Sequence, residues 1–169
     1  DRAGRLYRIN TDGTVVSLLE NVKVSNGMAF SLDHKELFYT ETHAWKIHVF
    51  DYDQTVGSLT NQRTFTDIPQ EEEEGVADGL TIDSQGYLWS ARAYGSIVVR
   101  YSPNGTEERR IHIPTPKVTS LTFGGDNLDD LYVTTGIEQN KPTDPLAGAL
   151  FKLKPGVRGV AEFVSRICL

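Results

Sequence analysis

Gly75-Val-Ala-Asp-Gly-Leu-Thr-Ile-Asp-Ser-Gln-Gly-Tyr-Leu-Trp-Ser-Ala91 reads as two short strands around a tight turn. Leu80 and Ile82 alternate with Thr81, which predicts a strand with two unlike faces. Asp83-Ser84-Gln85-Gly86 carries turn chemistry, and Gly86 accepts a positive φ without steric cost. Tyr87, Leu88 and Trp89 suit a pleated, half-buried surface. Asp78 and Gly79 stand just ahead of the first strand, so the acid is expected at the mouth of the hairpin.

The same grammar occurs twice more. Asn26-Gly27-Met28-Ala29-Phe30 leads through a polar turn to Leu37-Phe38-Tyr39-Thr40, and Thr119-Ser120-Leu121-Thr122-Phe123 leads to Leu131-Tyr132-Val133-Thr134. A third strand follows each: Ile47 to Phe50, Ile97 to Val99, and Leu150 to Leu153. The spacing of roughly 40 to 50 residues is the blade period of a β-propeller. Asn26, Asp78 and Thr119 hold equivalent positions, each just before the first strand of its blade. If that strand is innermost, with Met28–Phe30, Leu80–Ile82 and Leu121–Phe123 lining the centre, these side chains gather at one end of the central channel. Elsewhere, Gly4 to Ile9 and Thr14 to Leu19 read as the outer half of a blade, Gln62 to Thr66 and Glu108 to Ile113 as outer strands, and Val160 to Phe163 as a closing strand. Residues 136–148, with Pro142 and Pro145, read as one long loop. No segment of a dozen residues shows a 3.6-residue period, so the fold class is all-β.

The 169 residues suffice for one domain, and a hydrophobic share of 38% suits a chain of short strands and many turns. About three and a half blades do not close a ring, and an open array leaves strand edges that natural proteins avoid. Completion by further chain or by a partner is therefore expected. The formal net charge of -6 argues against nucleic acid, which needs clustered Lys and Arg. Glu71 to Glu74 carries much of that excess and reads as a solvated loop. Cys168 is the lone cysteine. No apolar run has the length of a membrane span or the form of a signal peptide, so no membrane is expected and a reducing, cytoplasmic setting is favoured. The chain begins with Asp1 rather than Met, which leaves room for an N-terminal part and any targeting segment in it.

Asp78-Gly79 alone reads as turn chemistry. Set beside Asn26-Gly27 at the matching blade position, it also reads as one of two oxygen donors at a channel mouth, the chemistry a hard cation such as calcium takes. Thr119 adds a hydroxyl that suits a turn or cap better than a ligand. His34, His43, His48 and His112 show no metal-ligand spacing. No Gly-x-Ser-x-Gly elbow is present, and Cys168 lacks the local signature of a nucleophile. Trp45, Trp89 and the tyrosines read as packing between blades.

Taken in order, Ser25-Asn26-Gly27, Ser31-Leu32-Asp33-His34-Lys35, Phe50-Asp51-Tyr52-Asp53, Asp78-Gly79, Gly86-Tyr87-Leu88-Trp89 and Phe123-Gly124-Gly125 through Leu131-Tyr132-Val133-Thr134 resemble the regucalcin, gluconolactonase and luciferin-regenerating enzyme family. The resemblance runs along essentially the whole chain and aligns it with the family's C-terminal half. It implies a six-bladed β-propeller in which residues 1–169 are the C-terminal part of a single domain, with the N-terminal half absent. It implies one divalent cation, calcium or zinc, with Asn26 and Asp78 among its ligands and Asp78 as the catalytic acid/base. A ligand Glu and the Arg and Asn that hold the sugar lactone belong to the family's N-terminal half and have no counterpart here. The implied function is metal-dependent hydrolysis of sugar-acid lactones. The alternative is a calcium-binding regulatory protein or scaffold without turnover.

Overall fold

The computed structural model describes residues 4–137 and 144–164; Asp1, Pro142 and Cys168 lie outside the described residues. Strands β1 (Gly4–Ile9) and β2 (Val15–Val22) form a two-stranded sheet. Strands β3 (Ser25–Phe30), β4 (Glu36–Glu41), β5 (Lys46–Asp53) and β6 (Ser58–Asp67) form a four-stranded antiparallel meander. A second meander comprises β7 (Val76–Ile82), β8 (Leu88–Ala93), β9 (Ile97–Tyr101) and β10 (Glu107–His112). Strands β11 (Val118–Gly124), β12 (Asp130–Thr135) and β13 (Leu150–Leu153) make a three-stranded sheet. The three repeats therefore become three successive blades in chain order, as the hairpin grammar predicts. Among the described residues only two short 3-10 turns, Thr42–Ala44 and Glu72–Glu74, are helical.

The first strands of the blades, β3, β7 and β11, pack side by side and are innermost. They approach so closely that side chains do not fit between them. A Cβ on Gly27 would stand 2.3 Å from the Leu80 nitrogen, and one on Gly79 would stand 2.3 Å from Ser120 Oγ. The glycines that follow Asn26 and Asp78 thus serve close approach between blades; turn chemistry, the reading that Asp78-Gly79 alone offered, is not the main role of Gly79.

Three further expectations are corrected. The strand Leu80–Ile82 lacks two unlike faces: Leu80, Thr81 and Ile82 are each 6–7% exposed. Its blade is covered on both sides, so both pleat faces are interior. On one side Leu88 and Val99 join Ile47, Val49 and Ile68; on the other Trp89 and Ala91 join Val118, Leu121 and Val133. The outer strand expected over Gln62–Thr66 runs the full length of β6. Val160–Phe163 is no strand. Instead, the segment around it crosses the end of the inner strands remote from Asn26 and Asp78. The Ser84 amide donates to the Arg158 carbonyl and the Gly159 amide to the Leu128 carbonyl, each at 2.8 Å. Phe163 then packs edge-on against Phe30, ring centroids 5.6 Å apart. An apolar cavity there, of about 340 Å³ and lined in part by Met28, Phe30, Leu80, Ile82, Val160 and Phe163, contains neither Asn26 nor Asp78.

Candidate active site

Strand pairing slips at one matching point in each blade: between Ser25 and Met28 on β3, between Ala77 and Leu80 on β7, and between Val118 and Ser120 on β11. Asn26, Asp78 and Thr119 fall inside these slips. They do not precede their strands, as the sequence suggested; they belong to them. An irregularity of this kind bends a strand and re-aims one side chain out of the alternation. The equivalence read from the repeat is therefore physical, and it puts all three residues at the same level of adjacent inner strands.

Asn26 and Asp78 are half-buried. The Asn26 amide nitrogen donates to Thr42 Oγ1 at 3.1 Å. Thr42 Oγ1 in turn donates to the carbonyl of Ala77, the residue before Asp78, at 2.8 Å. Thr42 is buried, and its own amide donates to the Val24 carbonyl at 3.1 Å. One hydroxyl thus ties the Asn26 side chain to the backbone that presents Asp78. Sequence reasoning missed Thr42. Its only trace there is a position just after the strand that pairs with the start of the Asn26 strand.

Burial pushes the Asp78 carboxyl above its usual range, while a hydrogen bond with Asn26 and the nearby Lys117 ammonium pull it partly back. Thr119 takes no such place. Its hydroxyl is 2.9 Å from Thr134 Oγ1 across the hairpin, a cross-strand contact in place of the turn or cap expected of it. The histidines assemble no cluster; His48 is buried with Nε2 3.5 Å from Glu41. The Glu71–Glu74 run is not simply solvated, because Glu74 pairs with Arg110 at 2.9 Å and tethers the loop to β10.

Hard oxygen donors are what Asn26 and Asp78 offer, and they suit calcium, or zinc through the carboxylate. Among the described residues no group of three or more His, Cys, Asp or Glu is placed to hold a metal. Calcium takes roughly 6–8 oxygens, so the pair fits such a cation as part of its shell. No helix among the described residues is long and apolar enough to cross a membrane.

Residues 1–137 match the model of the SMP-30/Gluconolactonase/LRE-like region. The chain belongs to this family. Within it, the chain is 42% identical to pentonolactonase XacC of Haloferax volcanii, an alignment covering 98% of this chain and 59% of that protein. It is 36% identical to human regucalcin, covering 95% of this chain and 55% of that one. A solved luciferin-regenerating enzyme superposes with a TM-score of 0.87 at 33% identity, over 95% of this chain and 55% of the other. A calcium-binding protein, regucalcin, from Agrobacterium tumefaciens superposes with a TM-score of 0.88 at 26% identity, again over 95% and 55%. This family member thus spans little more than half the length of these relatives, in agreement with a fold of three blades and part of another.

Proposed function

We propose that residues 1–169 are the C-terminal part of a single six-bladed propeller domain that hydrolyses lactones of sugar acids with the aid of one divalent cation, calcium or zinc. The observation that carries this reading is the pair of oxygen donors, Asn26 and Asp78, at matching irregularities of two adjacent inner strands. Membership of a family that includes a pentonolactonase supports the reaction class. The missing half of the ring would supply a further acidic ligand and the groups that hold the sugar.

Asn26 and Asp78 would hold the cation, which when bound supplies Lewis-acid stabilisation of charge at the lactone carbonyl. Asp78 does the proton work. One carboxylate oxygen takes a proton from the water that attacks the carbonyl carbon. It returns that proton to the ring oxygen as the acyl C–O bond breaks, so the sugar acid leaves as one open chain. Thr42 keeps the Asn26 amide and the Asp78 backbone in fixed relation. The segment through Val160 and Phe163 crosses the remote end, which favours the Asp78 end for substrate entry.

In the complete-ring protein, Asp78→Ala should lower kcat/KM for gluconolactone by about 100- to 10,000-fold even at saturating metal. Asn26→Ala should be partly rescued by excess metal. Near-unaltered hydrolysis by the Asp78→Ala protein would remove the proton-transfer role. A second reading, a calcium-binding regulatory protein without turnover, draws on the Agrobacterium relative described as a calcium-binding protein. Metal binding by calorimetry without any lactone hydrolysis would favour it.

A further inference from the structure

Lys117 lies two residues before Thr119 and pairs with Ala93 through an isolated antiparallel bridge. It therefore stands where β8 and β11 meet at the same end of the channel as Asp78. Its side chain is held in place from several sides. The Gly136 amide donates to the Lys117 carbonyl at 2.8 Å. A Cβ on Gly136 would already be 3.0 Å from Lys117 Cδ, so the bare glycine leaves the path of the side chain open. The ammonium donates to the Ile137 carbonyl at 3.4 Å and lies 5.8 Å from the centre of the Tyr94 ring.

Tyr94 is itself unusual. The residue is 49% exposed and its φ is 72°, a left-handed conformation uncommon for a side-chain-bearing residue. Ser96, two residues on, also has a positive φ of 56°. Gly95 between them is wedged against the Glu72–Glu74 turn: a Cβ on Gly75 would stand 2.3 Å from the Gly95 nitrogen. Strained conformations persist where the surroundings hold them, and they gather at ligand clamps. Here the strain displays an aromatic face beside a cation, at a channel mouth.

We propose that Lys117, with the Tyr94 ring beside it, forms an anion-binding subsite at the mouth, which takes the carboxylate of the open-chain sugar acid. The inference rests on the lactone reading and deepens it. Hydrolysis turns a neutral ester into a carboxylate, so a fixed ammonium distinguishes product from substrate by charge. The exposed ring offers a flat apolar face to the C–H side of the sugar chain. The subsite makes the site one that retains its product.

Gluconate and sorbitol carry the same hydroxylated chain and differ by the carboxylate, so calorimetry on the metal-loaded complete-ring protein separates the contributions. Lys117→Met should weaken gluconate binding roughly tenfold or more, the scale of one hydrogen bond to a charged group, and leave sorbitol unchanged. Lys117→Arg should retain most of the gluconate affinity, and Tyr94→Ala should weaken both ligands. Lys117→Gln, a milder change, repeats the test should the methionine variant fold poorly. Equal gluconate affinity in the unaltered, Met and Gln proteins overturns the subsite, as does an equal loss for both ligands in the lysine variants. If gluconate does not bind the unaltered protein, the subsite is overturned, while gluconolactone hydrolysis by the same protein decides the lactone reading separately.

Discussion

Thr42 shows how much a single hydroxyl can organise. It accepts from the Asn26 amide and donates to the Ala77 carbonyl, so it spans from one inner strand to the next. Replacing it by valine keeps the shape, leaves that carbonyl without its donor and frees the amide of Asn26 to turn. The loss should be about 1 kcal/mol for each hydrogen bond. We expect Thr42→Val in the complete-ring protein to weaken divalent-cation binding about fivefold to tenfold by calorimetry, with Thr42→Ser restoring it. Equal affinity in all three proteins would show that Thr42 only fills space. The residues that the repeat singled out, Asn26 and Asp78, were legible because each carries its chemistry in its own name and sits before a glycine in register. Thr42 was not legible, since a threonine after a strand has no chemistry until its partners are known.

Within the blade β7–β10, the decisive element is the turn between β7 and β8. Asp83 is fully buried and accepts from the amides of Gln85 and Tyr87, at 2.9 and 3.1 Å. Its other oxygen accepts from Trp89 Nε1 at 2.9 Å and from Arg100 Nε at 2.8 Å. The Arg100 guanidinium also lies 3.7 Å from the centre of the Tyr87 ring. The sequence showed the Asp-Ser-Gln-Gly turn, yet it gave no sign that an arginine from the third strand, 17 positions on, completes it. A buried ion pair broken on one side costs about 3–5 kcal/mol, because the remaining charge stays uncompensated. Arg100→Met should therefore lower the thermal midpoint by several degrees, far more than Arg109→Met, whose side chain is 36% exposed. Equal midpoints for the two variants, measured by circular dichroism, would mean that Asp83 finds other partners.

At the scale of the whole molecule, the blades described here cover only part of a circle. Strand β3 leaves Met28 55% exposed although its neighbours in the blade are interior. On the two-stranded sheet β1–β2, Tyr7, Ile9 and Val15 are 51–61% exposed. Ile9 and Val15 are register partners, so on this sheet the apolar exposure is contiguous, which marks a surface built to be covered. The chain on its own should bind an apolar fluorescent dye and self-associate at micromolar concentration, and a protein carrying the remaining blades should do neither. Sedimentation velocity of the two forms checks this: a strictly monomeric, dye-silent isolated chain would show that the exposed surfaces need no covering.

The sequence by itself determined the all-β class, the three repeats, their innermost strands and the matched places of Asn26 and Asp78. These follow from local periodicity and turn chemistry, which neighbouring residues encode. Only the tertiary structure decided that Leu80–Ile82 is buried on both faces, that Gly27 and Gly79 serve close strand approach, and that Val160–Phe163 crosses under the inner strands without joining a blade. It alone brought Thr42 to Asn26 and Lys117 to the rim beside Asp78. Each of these depends on which blade lies against which, a long-range arrangement that no short window of sequence contains. The physical reason is that a blade's inner and outer faces become distinct only when the next blade packs on it.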